Sequence, residues 1–286
     1  MVNKMKEGIS AHINITNPET QGYPYIESIK SFANVCDEVI VVDGGTTDGS
    51  LEKIKKIPRI KIIKGEKWER NFSWEIIGKN KNIGFENCQY KFAFAFDADY
   101  IFHERYKEKL RQEVSVIRKD QLAIFIGKLN VLTRKRAFPK RNIPVLVNKE
   151  CSDKLGYGRS KKTFKKNTTF LDPILIEGED SMGYYGSSIN NNSIFVINSK
   201  MKLYCYDFTF MTKEQIKEQR ERFDNALQGY KNKKLYTKEK AFELFIQLMK
   251  SRKKNSIFFD EHSIYIQDKL NKITPEMWGY NNWGMI

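Results

Sequence analysis

The sequence predicts an α/β fold built on a mostly parallel sheet flanked by helices, with a helical C-terminal region. Three observations carry that expectation. Short apolar runs alternate with helical patterns as far as residue 126. One run, Val39-Ile40-Val41-Val42, is continuous and β-branched, as in a strand buried on both faces. Two strong helical signatures lie in the last third of the chain.

The first strand is read from Ile9, Ala11, Ile13 and Ile15, which alternate with polar residues as in a strand with one buried face. It ends at Asn17-Pro18. After a turn at Gly22, residues 24–35 place Ile26, Ile29 and Ala33 on one helical face, with Pro24 in the tolerated first turn. The run 39–42 stops at Asp43, before the turn-rich Gly44-Gly45-Thr46-Thr47-Asp48-Gly49-Ser50. A short helix at about 50–56 and a strand at 60–63 continue the alternation, which implies right-handed parallel crossovers. Residues 68–88 are polar and weakly helical, and 92–96 read as a buried strand ending in Asp97. Tyr106, Leu110, Val114 and Ile117 recur at helical spacing, and 122–126 form another strand.

Residues 134–166 are basic and irregular, with Gly156-Tyr157-Gly158 and the cluster Lys161, Lys162, Lys165 and Lys166; a long loop or flap is expected there. Late strands are expected at 194–197 and 203–206. Thr212-Lys213-Glu214-Gln215 fits a capping box opening a helix that ends near Gly229. A further helix at 238–252 aligns Phe242, Phe245, Ile246 and Met249 on one face, read as a core stripe. The expected division is a sheet domain over 1–210, with 211–286 packed on it as a helical extension.

The 286 residues are 40% hydrophobic and 13% aromatic, which allows a sizeable core and argues against disorder. Lys and Arg number 50 against 35 Asp and Glu, a net charge of +15. This balance favours nucleic acid, anionic lipid or phosphate-rich substrates, unless the excess is simply solvated surface. Cys36, Cys88, Cys151 and Cys205 form no CxxC pair, so neither a zinc site nor a disulfide framework is indicated, and a reducing compartment is the simpler reading. Residues 1–8 lack the apolar region of a signal peptide, and no apolar stretch of about 18 residues occurs. The expected location is the cytoplasm, with membrane contact only at a surface; Arg252-Lys253-Lys254 would suit peripheral attachment to anionic lipid.

The chemistry centres on Asp97-Ala98-Asp99, directly after a buried strand, where open α/β folds bind ligands at the carboxyl edge of the sheet. Two carboxylates one residue apart can approach one hard cation from a turn, and Mg²⁺ or Mn²⁺ there would offset charge on a departing diphosphate. A pair of solvated turn aspartates would give the same triplet. Asp43 also ends a buried strand, and two strand-end acids suggest one shared crevice.

These residues, in this order and spacing over roughly 9–126, resemble family 2 glycosyltransferases of the GT-A type, with a Rossmann-like sheet. The resemblance implies transfer of a sugar from a nucleoside diphosphate sugar to a hydroxyl acceptor (glycan, lipid-linked or protein), dependent on Mn²⁺ or Mg²⁺ and inverting. It makes Asp43 the acid that contacts the nucleotide base, aided by Gly45, and Asp97 the residue near the ribose or donor sugar. Asp99 becomes the principal metal ligand. The segment ending at Asn17 resembles the one whose backbone meets the nucleotide, although this chain reads His12-Ile13-Asn14-Ile15-Thr16-Asn17-Pro18 where the family more often has a proline followed by a Tyr-Asn-Glu-like run.

Arg70, beside Asn71, stands where relatives carry a polar helix closing on the donor; it is a phosphate fork or a solvated surface arginine. Relatives place the catalytic base well after the acidic triplet, and here Glu179 and Asp180, beside Glu177, are the candidates. In Tyr204-Cys205-Tyr206-Asp207 relatives have a histidine near the metal; Asp207 takes that place as a ligand or caps the following turn. His103 reads as a surface or capping residue.

Two rival functions remain open. A nucleotidyltransferase would usually carry a Gly-rich, basic loop after the first strand, and residues 14–22 contain no Lys or Arg. A nucleic-acid-binding protein would suit the charge, but no zinc finger or RNP-like aromatic motif is present and the basic residues are dispersed, so no specific nucleic acid is expected.

Overall fold

The computed structural model describes residues 5–68, 72, 74–117, 121–151, 156–158, 183–185, 195–230 and 234–285. Four parallel strands form one half of the main sheet: β1 (Lys6–Ile15), β2 (Glu38–Asp43), β3 (Ile60–Lys64) and β4 (Tyr90–Ala95), in the order β3-β2-β1-β4. The crossovers carry α1 (Tyr25–Val35), α2 (Ser50–Ile54) and α3 (Trp74–Asn87). On the α1 side, Phe32 stacks on Phe96 at 3.9 Å between ring centroids and meets Phe94 edge-on at 5.0 Å. On the α3 side, Phe85 and Cys88 close over Ile40, Val42 and Ala93.

The first strand departs from its expected single buried face. Ser10 and His12, on the polar side of the alternation, are also buried, because α3 covers that face. Ser10 is accommodated by hydrogen bonding: its hydroxyl donates to Glu38 at 2.6 Å and accepts from the Tyr90 amide at 3.1 Å. His12 is held neutral, its pKa pushed down to about 3 by burial and by Lys81 and Lys149. A histidine whose folded pKa is depressed withdraws stability as pH falls, since the unfolded chain takes the proton first. Unfolding free energy is therefore expected to drop by about 1.5 kcal/mol between pH 6.5 and pH 5 from this residue. Urea titrations of wild type and His12→Gln at both pH values check this; burial also lowers His103 and His262, so the variant's reduced slope isolates the His12 share.

The other half of the sheet is mixed. β5 (Tyr100–Phe102) is followed by α4 (Lys107–Ser115), then the long strands β6 (Gln121–Thr133) and β7 (Arg136–Asn148). Most of the first part of the expected flap at 134–166 is thus a strand: β7 lies inside the sheet, antiparallel to β4 on one side and β6 on the other. Its prolines and charges obscure the apolar period. Pro144, opposite Phe125, sits at a register shift where the ladder does not need the N–H that proline lacks. The short strands β8 (Gly156–Gly158) and β9 (Gly183–Tyr185) pair with each other, and the lysines at 161–166 lie outside the described residues. The two expected late strands are one, β10 (Phe195–Cys205), with a register shift between Asn198 and Lys202; it runs parallel to β6 and antiparallel to β5.

After β10 come α5 (Lys213–Tyr230), α6 (Lys238–Lys253), the two-residue strand β11 (Ile257–Phe258), α7 (Ile264–Asn271) and α8 (Trp278–Asn281). The capping box forms: the Thr212 amide donates to the Gln215 side chain at 2.9 Å, and the Gln215 amide to the Thr212 hydroxyl at 3.4 Å. Phe242, Phe245 and Met249 of α6 are buried against Phe208, Met211, Ile216 and Trp278, so this stripe is core. Among the described residues, no helix is long and apolar enough to cross a membrane.

Candidate functional site

The chain leaves β4 into a tight turn, with the Tyr100 amide donating to the Asp97 carbonyl at 3.0 Å. Ser28 of α1 donates to the same carbonyl at 3.1 Å, and the Asp99 carbonyl accepts from the Tyr206 amide at 2.9 Å. The turn therefore presents both carboxylates at the carboxyl edge of the sheet while its backbone is tied to α1 and to the end of β10.

The two carboxylates have opposite electrostatics. Burial alone would raise Asp97, but the ammonium groups of Lys81 and Lys128, with hydrogen bonds from Lys81 and Tyr100, hold it below the usual carboxylate range. Lys81, from α3, reaches it at 3.1 Å. Asp99 is pushed well up by burial, then by the negative charges of Asp207 and Asp97, against a smaller opposing pull from Lys128. Lys128 projects from β6, donates to the Tyr100 hydroxyl, and keeps a raised pKa despite burial because Cys205, Asp97, Asp99 and Asp207 surround it. Three aspartates and two lysines from four separate chain segments thus share one pocket floor.

Asp43 stands at the same edge. β1 lies between β2 and β4, Ile15 pairs with Asp43, and the Phe96 amide bonds the His12 carbonyl. Asp43 and Asp97 are thus two inter-strand spacings apart, about 10 Å. The Asp43 Oδ1 atom accepts from the amides of Gly45 at 3.0 Å and Thr46 at 2.7 Å, shaping the loop. Asn17, in a left-handed conformation at φ 45°, accepts from the Thr47 amide at 2.7 Å and so pins the β1 and β2 loops together.

Beside the Asp97–Asp99 turn opens a cavity of about 380 Å³. Asn14, Thr16, Trp68 and Lys81 line it with Asp207, Lys128 and Asn130, and Gln219, Arg220, Phe223 and Asp224 of α5 and Arg252 of α6 add a helical wall. Trp68, Phe72 and Phe223 make an edge-on aromatic cluster with centroids 5.0 and 5.1 Å apart along the chain of contacts. Arg220 pairs with Asp224 along α5, and burial raises the Asp224 carboxyl in spite of that arginine. Within the cavity wall, Asn130 Oδ1, Gln219 Oε1 and Trp68 Nε1 are buried with no hydrogen-bond partner, a polar lining of the kind that a polar ligand satisfies.

The expected site residues fall into three groups. Asp97, Asp99 and Asp207 meet at the cavity. Asn17, Asp43 and Gly45 belong to the adjoining loops and do not line it. Arg70, Glu179 and Asp180 lie outside the described residues, as do Asn71 and Glu177. His103 caps a turn, accepting from the Arg105 amide at 3.3 Å. Sequence reasoning missed Lys81, Lys128, Tyr100 and the α5 wall. For Lys128 a signal existed: Lys128 and Asn130 are polar residues two apart within the apolar run from Ile124 to Leu132, the spacing that puts both on one face of a strand.

TarS of S. aureus, residues 1–349, aligns over 79% of this chain and 72% of its own at 17% identity and a TM-score of 0.43. The same protein in complex with UDP-GlcNAc aligns over 88% and 74% at 18% identity and 0.43. The mannosyltransferase PcManGT from Pyrobaculum calidifontis, in complex with GDP-Man and Mn²⁺, aligns over 44% and 38% at 16% identity and 0.33. No curated protein matches the sequence. Residues 24–176, just over half of the chain, match the model of glycosyl transferase family 2, and the protein belongs to that family and is a glycosyltransferase.

Proposed function

We propose that the enzyme transfers a sugar from a nucleoside diphosphate sugar to a hydroxyl acceptor, with inversion at the anomeric carbon. The observation that carries this reading is the Asp97–Tyr100 turn: it sets the buried Asp99, whose carboxyl is raised by burial and by the charges of Asp207 and Asp97, at the sheet edge beside a 380 Å³ cavity. The β1 and β2 loops with Asn17, Asp43 and Gly45 offer the nucleoside end, and Asp97 lines the cavity.

Among the described residues, no group of three His, Cys, Asp or Glu side chains is placed to hold a metal ion. Asp99 and Asp207 nevertheless fit Mn²⁺ or Mg²⁺, because such ions are commonly held by one or two carboxylates with substrate phosphates completing the set. The mutual repulsion that raises Asp99 is the repulsion a cation would relieve. When bound, the ion would supply charge stabilisation for the departing diphosphate. Asp97 orients against Lys81, and Lys128 adds fixed positive charge to the same floor. We assign the acceptor to the α5 side, where Gln219 offers a polar atom, and the proton-removing base to Asp180 or Glu179, with Arg70 on the donor phosphates. In this arrangement residues 1–210 hold the donor and 211–286 close the cavity.

Thermal unfolding with a nucleotide panel that includes UDP, GDP and their sugars tests the reading. At a hundredfold excess over Kd, the matching nucleotide is expected to raise Tm by about 5 °C, and more with Mn²⁺ than without. Product analysis then separates the rival: release of pyrophosphate rather than nucleoside diphosphate would establish nucleotidyl transfer instead.

A further inference from the structure

Away from the cavity floor, two exposed apolar side chains stand among cations. β11 pairs antiparallel with the start of β7, Ile257 opposite Ala137 and Phe258 opposite Arg136, and the Phe259 amide donates to the Lys135 carbonyl at 3.0 Å. Phe259 anchors this corner in the core beside Tyr204, whereas Phe258 is 67% exposed and Ile257 49%. The pairing brings two basic segments together: Arg134, Lys135 and Arg136 from the β6–β7 turn, and Lys250, Lys253 and Lys254 from the end of α6, all exposed. Glu261 nearby is neutralised by Arg105 at 2.6 Å, which leaves Asp260 as the acid of the segment.

We propose that this corner docks the enzyme on the surface of a membrane leaflet rich in anionic lipid. Phe258 and Ile257 would enter the headgroup boundary, and the surrounding lysines and arginines would face the lipid phosphates. Charge complementarity selects this occupant. A second copy of the chain would bring like charge against like, and a nucleic acid would leave both apolar side chains in water. The same helix, α6, contributes Leu248 and Arg252 to the cavity, so a docked enzyme holds the cavity near the lipid surface and suits a lipid-borne acceptor. That last link rests on the sugar-transfer reading; the docking itself does not.

Co-sedimentation of the full chain with phosphatidylcholine vesicles, with and without phosphatidylglycerol, tests the proposal. Binding is expected only to the anionic vesicles, weakening with salt, and falling about tenfold or more in Lys253→Glu/Lys254→Glu and in Ile257→Ser/Phe258→Ser. Thermal melts of both variants are expected to match wild type, since all four side chains are exposed. Equal binding to neutral vesicles, or binding unchanged in both variants, would overturn the assignment. So would a lipid-free dimer in light scattering that Phe258→Ser abolishes. Vesicle binding that persists in a protein releasing no nucleoside diphosphate would uphold the docking while refuting sugar transfer.

Discussion

Asp99→Ala is expected to lower sugar transfer about a thousandfold, the loss typical of removing one preorganised charge-stabilising group from a reaction centre. The protein should still unfold cooperatively. Asp99 is buried, and its carboxyl is raised by burial and by the charges of Asp207 and Asp97, so the native state resists ionising it. A raised carboxyl withdraws stability as pH climbs from the unfolded pKa toward the folded one. Near neutral pH, Asp99→Asn should accordingly melt no lower than wild type while remaining inactive. Transfer assays paired with thermal melts decide the point: an active Asp99→Ala enzyme refutes the role, and an unfolded Asp99→Asn protein refutes the electrostatics. Loss of activity with retained stability is the combination that a purely structural aspartate would not produce.

Gly44→Ala is expected to cost about 3 kcal/mol of stability, the upper range for overpacking a tight site. A Cβ there would lie 2.5 Å from the Thr16 hydroxyl oxygen, 3.1 Å from Trp68 Cβ and 3.2 Å from the Ile15 carbonyl oxygen. The neighbours cannot all yield, because the Gly44 amide donates to that same carbonyl at 2.8 Å and its own carbonyl accepts from the Trp68 amide at 2.8 Å. The close approach of the β1 and β2 ends thus depends on a missing side chain. A urea titration reads the loss directly; a midpoint within error of wild type would show that the two loops can part. Since Thr16 and Trp68 both line the cavity, nucleotide affinity should fall with stability.

Apart from β5, the order of strands and helices through residue 117 was legible because the signals are local. Val39–Val42 is apolar throughout and lies buried on both faces, and Asp43 and Asp97 follow apolar strands directly. β7 was not legible, since Pro139, Pro144 and four basic residues between 136 and 149 mask a strand whose partners lie elsewhere in the chain. β5 was missed for a different reason: three residues carry no readable period.

By itself, the sequence determined where the strands end and hence which acids reach the sheet edge, because side-chain period and turn chemistry act over a few neighbours. Only the tertiary structure decided what those acids face. Lys81 came from α3, Lys128 from β6, Asp207 from the end of β10, and the cavity's far wall from α5 and α6. Each arrives through a long-range pairing or packing contact, and an ion pair or a shared desolvation cost exists only once such contacts have closed.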